Sequence, residues 1–342
     1  MSKEKIKCVV WDLDNTVWDG VLTEDPYVKV NDDAVKVIKE LDNRGVLQSV
    51  ASKNNYEQAK DQLISLGLWD YFIYPQIHWN PKSESISQIA KNINIGLNTF
   101  AFVDDQMFER DEVNHSLENT LCIDAKDIPD MLEMERLIPK HITKDSKNRR
   151  KMYQDDIVRN DIENTFTGTK EEFLRTLDMK FTIHKAKEED LQRAEELTVR
   201  THQLNSTGYM YSYNELKAFC ESDRHEVLVA QLSDKYGDFG AIGLALIERD
   251  EECCWLKLLL MSCRVISKGV GNVFLNFIVN RVRKQGVELK AQFVPTDKNK
   301  MMYITFKFNG FKEIDQKEEV VILSADLSYE RPIPDYVLLK EG

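Results

Sequence analysis

Apolar and polar positions keep a regular rhythm over the first third of the chain. KCVVWDLD (7–14) is a short apolar run ending in acids and reads as a buried strand. VNDDAVKVIKELDNRG (30–45) carries its apolar residues at helical spacing and stops at Gly45. The same logic predicts a strand over VLQSVASKN (46–54), a helix over YEQAKDQLISLGL (56–68) and a strand over YFIYPQI (71–77). A helix over SESISQIAKNI (83–93) and a strand over TFAFVDD (99–105) complete the series. Strand and helix in strict turn imply a parallel sheet with crossover helices. Ligands of such sheets sit beyond the carboxyl ends of the strands, where Asp12, Ser52 and Asp104 would emerge.

The rhythm then changes. KDSKNRRKMYQDDIVRNDIEN (144–164) is dense in charge and short of apolar spacing, which predicts a solvated helical linker. TKEEFLRTLDM (169–179) reads as a short helix capped by Thr169, with Glu172 three residues on. Beyond it, strands are expected at 181–186, 225–234, 239–250, 253–265, 287–295 and 318–326, with helices at 188–204, 268–286 and 298–311. The fold class is therefore α/β: a parallel-sheet domain over 1–138, a helical linker over 139–179, and a mixed α/β domain with a mainly antiparallel sheet over 180–342.

Composition narrows the function. A chain of 342 residues with 42% hydrophobic and 30% charged positions suits two globular domains. A net charge of −12 argues against general nucleic-acid binding, which needs a basic surface. No apolar stretch approaches the ~20 residues of a membrane helix, and the charged start MSKEKIKCVV is unlike a secretory signal. A cytoplasmic protein is expected. The six cysteines show no metal-ligand spacing and are expected to be reduced thiols.

Candidate chemistry begins at Asp12-Leu13-Asp14, directly after the first apolar run. Carboxylates two positions apart at a strand end can face one cavity, the first as nucleophile on phosphorus and the second as proton donor and acceptor. Their repulsion calls for a divalent cation, and Asp104-Asp105 adds hard oxygen ligands suited to Mg²⁺. Ser52 can hydrogen-bond the phosphoryl group and Lys82 can neutralise its charge. Over residues 5–128 this set resembles the haloacid dehalogenase (HAD) superfamily. The resemblance implies Asp12 as nucleophile, Asp14 as general acid/base, and Ser52 and Lys82 as phosphate ligands. Mg²⁺ would be held by Asp12, Asp104 and the backbone carbonyl of Asp14. The interval from Asp14 to the second strand is short and mostly helix, so a large cap is not expected and the site should admit a bulky substrate.

Three later segments stand out: RTHQLNSTGYMYS (200–212), LLLMSCRVISKGVGNVFLNFIV (258–279) and PTDKNKMMYITFKFNGF (295–311). The second is a strand, then a glycine loop opening a helix, a backbone arrangement that can receive phosphate oxygens. It resembles the GNAT acetyltransferase fold, although Ile266 and Ser267-Lys268 stand where that family's loop usually begins with Arg or Gln. Taken with WDLDNTVWDG, the segments MSCRV…KGV and PTDKN resemble the FkbH-like proteins of polyketide biosynthesis over nearly the whole chain. That resemblance implies an enzyme that takes a three-carbon unit from 1,3-bisphosphoglycerate, removes phosphate, and passes the glyceryl group through a cysteine thioester to the phosphopantetheine thiol of an acyl carrier protein. Cys263, expected to close its strand beside Arg264, is the candidate acyl carrier. Cys8 and a route without a covalent relay are the alternatives. Gln203, Asn205, Thr207, Arg264, Gly269, Gly271, Lys298 and Asn299 are candidates for the acyl or pantetheine groups. Arg281, Arg283, Lys284 and Lys290 form a basic strip that would suit an acidic carrier. Two rival functions stand beside this one: a HAD phosphatase fused to an acetyl-CoA-dependent N-acetyltransferase, and a non-catalytic carrier-docking scaffold.

Overall fold

The computed structural model describes residues 4–342, so the first three residues of the charged start and of the 1–138 domain lie outside it. The described chain divides after Val158 into two units.

The first unit holds β1 (Cys8–Trp11), a small hairpin β2 (Trp18–Asp19) and β3 (Lys29–Val30), α1 (Asp32–Asn43), β4 (Leu47–Ser52) and α2 (Tyr56–Ser65). It continues with β5 (Gln76–Ile77), α3 (Lys82–Ile93), β6 (Phe100–Asp104), α4 (Met107–Ser116), β7 (Leu121–Asp124) and α5 (Lys144–Lys147). Sheet order is β5-β4-β1-β6-β7 with every pairing parallel. Chain order runs outward from β1 on one side and then resumes on the other, so the topological switch falls between β1 and β6, where a crevice opens. Alternation along β1 sends Val9 and Trp11 into one apolar layer and Cys8 and Val10 into the other. The helices cover both layers, with Asn31 and Asn55 capping α1 and α2 through their side chains.

The strand expected over 71–77 is cut to Gln76–Ile77. Tyr74 takes a left-handed φ of 51° just before Pro75, which breaks the extended run although Phe72 and Ile73 are buried.

The charged segment is helical as expected, α6 (Arg149–Thr165), but it is no free-standing solvated linker. The division between the units falls inside it, between Val158 and Arg159. On the first side, Arg149 donates to Gly45 O, Arg150 pairs with Asp42, and Met152 is buried. On the second side, Arg159 is 1% exposed and grips Asp234 with two hydrogen bonds of 2.7 and 2.8 Å.

The second unit continues with α7 (Lys170–Arg175), which starts in a Thr169/Glu172 capping box, then β8 (Met179–Lys185), α8 (Leu191–Arg200) and α9 (Tyr213–Cys220). The long strands β9 (His225–Asp234), β10 (Gly237–Arg249) and β11 (Cys253–Met261) follow. The chain closes with α10 (Val270–Arg283), β12 (Glu288–Phe293), α11 (Lys300–Phe308), β13 (Phe311–Lys317), β14 (Val320–Ala325) and β15 (Val337–Glu341). The sheet order is β13-β14-β12-β11-β10-β9-β8-β15. Pairings are antiparallel except β11 with β12 and β8 with β15. The protein is thus α/β, with one parallel and one mixed sheet.

The strand expected over 253–265 ends at Met261, and 263–268 coil into a 3-10 turn. Cys263 therefore begins a turn instead of closing a strand.

Candidate active site

Asp12 follows β1 and Asp104 ends β6, on either side of the switch point. Pairing of β1 with β6 sets Trp11 against Val103, and Asp12 N donates to Val103 O at 2.9 Å. The two carboxylates are thus brought to one spot by sheet register alone. Lys82, the first residue of α3, reaches in between, with Nζ 2.6 Å from Asp12 Oδ1 and 2.8 Å from Asp104 Oδ2. All three are buried. Burial and the neighbouring Asp12 charge raise the Asp104 carboxyl to about 6, with Lys82 pulling the other way. Burial lowers the Lys82 ammonium, but Asp12 and Asp104 outweigh it and the net direction is up. Lys82 stays charged.

Asp12, Asp104 and Asp105 each offer an oxygen within 4.8 Å of the others, and among the described residues they form the single group of three or more ligating side chains arranged to hold a metal. Asp105 Oδ1 is buried without a hydrogen-bond partner. Burial, then the Asp12 charge, raises its carboxyl. An orphaned anionic oxygen beside two further carboxylates fits a hard divalent cation such as Mg²⁺. The cluster is braced from outside. Gln106 N donates to Asp104 Oδ1 at 2.8 Å, and Arg110 bridges Asp104 O to Asp124 Oδ2 with two contacts of 2.7 Å.

Asp14 sits in the loop between β1 and β2, and burial raises its carboxyl. Its Oδ1 accepts from Trp18 Nε1 at 2.8 Å and Leu22 N at 3.1 Å, while Oδ2 accepts from Asn54 Nδ2 at 3.0 Å. Ser52, buried, ends β4 at the same edge. The structure therefore places Asp12, Asp14, Ser52, Lys82 and Asp104 at one end of the parallel sheet. Arg110, Trp18 and Asn54 were not singled out from sequence, although Asn54 stands in the SKNN run just after Ser52.

Large apolar side chains are exposed on the loops at Tyr27 (82%) and Trp79 (68%) and on the first turn of α4 at Met107 and Phe108 (69% and 74%). Between Asp14 and β4 lie only the β2–β3 hairpin and α1, so this interval holds no cap domain.

In the second unit, the parallel strands β11 and β12 pair only as far as Leu256 and Ala291 and then diverge. The Leu204–Ser206 segment fills the gap. Ser206 N donates to Leu259 O, Leu259 N to Ser206 Oγ, Met261 N to Leu204 O and Val294 N to Ser206 O, at 2.9–3.0 Å. Asn205 and Asn299 are buried and serve this stitching. Asn205 Oδ1 accepts from Thr207 N and Gly208 N, while Asn299 Nδ2 donates to Asn205 O and Val294 O. Their amides are occupied in holding these loops together. Thr207 is half-buried, and Gln203 and Lys298 are exposed beside them.

Cys263 is half-buried at the start of the 3-10 turn after β11, two residues beyond the Met261–Leu204 contact. Arg264 Nη2 donates to Phe239 O at 2.9 Å. Gly269 begins α10 at φ 73°, and a Cβ there would stand 2.7 Å from the Tyr336 hydroxyl oxygen. Gly271 has no such requirement, since a Cβ would meet Met261 at an ordinary 3.8 Å. Lys268 is buried with Nζ 3.7 Å from Glu163, so it turns inward from the glycine loop. Cys8 is fully buried and burial pushes its thiol up, which does not suit a nucleophile. The basic strip is largely consumed internally: Arg281 binds Glu226, Arg283 binds Leu327 O, and Lys290 binds Glu288.

No family model and no curated protein matches the chain. Among solved structures, the N-terminal part of the protein BF1531 from Bacteroides fragilis, containing a phosphatase domain complexed with Mg, is 29% identical at a TM-score of 0.37. That match covers 40% of this chain and 42% of that one, so the chain spans less than half of that structure. The ribosomal-protein-S18-alanine N-acetyltransferase from Escherichia coli is 16% identical at a TM-score of 0.35, covering 44% of this chain and 95% of that one. A HAD-superfamily hydrolase from Ehrlichia chaffeensis is 14% identical at a TM-score of 0.32, covering 38% and 98%. At these scores the likenesses do not bear on chemistry, which rests on the side chains already placed. No helix among the described residues is long and apolar enough to cross a membrane.

Proposed function

We propose that the first unit is a magnesium-dependent phosphatase working through an aspartyl-phosphate on Asp12. The observation that carries this is the buried Asp12–Lys82–Asp104 bridge with the orphaned Asp105 oxygen beside it. Asp12, Asp104 and Asp105 would hold Mg²⁺, which when bound supplies charge neutralisation for an incoming phosphate. An Asp12 oxygen attacks phosphorus while the bond to the leaving oxygen breaks, and Asp14 gives that oxygen its proton. Asp14 then takes a proton from water as the water attacks phosphorus, releasing phosphate and restoring Asp12. Lys82 follows the charge on the phosphoryl oxygens, and Ser52 orients them.

The finer reading joins this to the second unit. The substrate is 1,3-bisphosphoglycerate; the Cys263 thiolate attacks its acyl carbon, the acyl–oxygen bond breaks, and the acyl phosphate leaves as inorganic phosphate. A carrier protein's phosphopantetheine thiol then displaces Cys263, and the remaining phosphate ester is cleaved at Asp12, before or after transfer. The short Asp14–β4 interval and the exposed apolar residues Tyr27, Trp79, Met107 and Phe108 of the first unit support a substrate carried on a macromolecule. Cys263 is supported by its position at the turn between β11 and α10, and by the unsuitability of Cys8.

Incubation with Mg²⁺, 1,3-bisphosphoglycerate and phosphopantetheinylated carrier should add a glyceryl mass to the carrier. Asp12→Asn should leave a phosphoglyceryl mass, and Cys263→Ala should abolish both loading and the enzyme-bound acyl adduct. Loading that survives Cys263→Ala overturns the covalent relay. Acetylation of an amine by acetyl-CoA, without carrier loading, would establish the N-acetyltransferase reading instead.

A further inference from the structure

The three hydrogen bonds to Asp14 divide its two oxygens unequally. Oδ1 receives two donors, the Trp18 indole N–H and the Leu22 backbone N–H. A carboxylate oxygen offers two lone-pair directions, so Oδ1 is filled. Oδ2 receives one donor, from Asn54, and keeps its second direction. The orientation of Asn54 is also fixed: its own Oδ1 accepts from Asn55 N at 2.9 Å, so its NH₂ group must face Asp14. Both Trp18 and Asn54 are buried, at 0% and 2% exposure, so packing fixes the two donors in place.

We infer that Trp18 and Asn54 are positioning residues that reserve Oδ2 of Asp14 for proton transfer in phosphoryl transfer at Asp12. This rests on the reading of Asp14 as the proton donor of the first unit. With Oδ1 occupied, the proton given to the leaving oxygen departs from Oδ2 as the phosphorus–oxygen bond breaks and the bond to Asp12 forms. Without the Asn54 contact the carboxyl can turn about its Cβ–Cγ bond, and the proton-bearing oxygen no longer faces the leaving group. Trp18 acts through the other oxygen to the same end, so the pair works as a two-sided clamp.

The test separates proton delivery from general damage by varying the leaving group. A phenolate with strongly withdrawing substituents departs without a proton, whereas an alkoxide needs one. The full-length enzyme with Mg²⁺ is assayed for kcat/KM on 4-nitrophenyl phosphate and on 3-phosphoglycerate, as wild type, Asn54→Ala and Trp18→Phe. The second variant guards against a folding failure of the first, and thermal melting checks both. The clamp predicts that kcat/KM on the alkyl ester falls by about 100-fold, the scale of lost general-acid catalysis. On the aryl ester it changes by no more than about 3-fold, because that step has no general-acid contribution to lose. Equal losses on both esters, or no loss on either, overturn the clamp while leaving the phosphatase reading intact. A wild-type enzyme inert toward both esters overturns the phosphatase reading itself.

Discussion

Replacing Lys82 with Met keeps length and apolar volume but leaves Asp12 and Asp104 facing each other with no ammonium between them. The wild-type side chains are 4%, 6% and 0% exposed for Lys82, Asp12 and Asp104, so solvent can do little to replace the lost partner. Breaking a buried ion pair by removing one member costs about 3–5 kcal/mol. For a unit of this size that is a fall in melting temperature on the order of 10 °C. The loss should depend on pH in a definite sense. Asp104 is already raised to about 6, and Lys82 is one of the groups holding it down, so Lys82→Met raises it further. A protonated Asp104 no longer repels Asp12, hence the penalty is largest near pH 8, shrinks as pH falls toward about 6, and levels off below it. Urea titration in EDTA at both pH values would measure this. Trp11, Trp18, Trp69 and Trp79 all belong to the first unit, with only Trp255 in the second, so tryptophan fluorescence reports mainly the unit affected. Added Mg²⁺ at a hundred times its dissociation constant would restore about 2.7 kcal/mol by occupying the carboxylates, without restoring turnover. A penalty that is identical at pH 5.5 and pH 8, or absent at both, would refute the idea that Lys82 is the counter-ion of this cluster.

Four other outcomes are expected. The apparent affinity for Mg²⁺ in wild type should weaken about tenfold per pH unit below about 6, because the raised Asp104 must lose its proton to coordinate; isothermal titration across pH 5–7.5 would check it. In metal-free buffer the same raised group stabilises the fold below the ordinary carboxylate range and ceases to as pH rises through about 6. Arg159→Ala should destabilise the second unit by about 3–5 kcal/mol by stranding buried Asp234, visible as an earlier melting transition. Gly269→Ala should cost about 1–2 kcal/mol for the left-handed backbone alone. The Tyr336 contact adds to it, so pairing Gly269→Ala with Tyr336→Phe should recover part of the melting temperature but not all of it.

The first unit was legible because its chemistry is local to strand ends. An apolar run followed by Asp12, and another followed by Asp104, announce both the strand and the residue that leaves it, and parallel register brings the two together. Lys82 was legible as a helix start in the same way. What the first unit hid were partners acting at a distance in sequence, such as Arg110 on Asp124 or Asn54 on Asp14, which no periodicity marks. The second unit was harder for a related reason. Strands β13 and β15 lie on the sheet edges, and β13 exposes every residue but Phe311, so the alternation that betrays a strand is absent. The charged helix α6 misled in the opposite sense: its arginines look solvated in sequence, yet Arg149 and Arg159 are buried because each finds an acceptor of its own.

Asn205 and Asn299 show why a polar residue in a suggestive motif is weak support for ligand binding. An amide at a loop carries donors and an acceptor that must be satisfied, and a diverging strand pair leaves backbone groups in the same need. Here the two needs meet. Leu204–Ser206 supplies the hydrogen bonds that β11 and β12 stop giving each other; Asn205 within it holds the turn at Thr207, and Asn299 pins it from outside. The segments RTHQLNSTG and PTDKN can therefore be required for the shape of the surface around Cys263 without touching what binds there. The consequence is specific. Asn299→Ala should loosen the Leu204–Ser206 insertion and lower thermal stability by about 1–3 kcal/mol, the cost of leaving Asn205 O and Val294 O unpaired. If Asn299→Ala instead left the melting temperature unchanged and removed only carrier loading, its amide would belong to the binding surface after all.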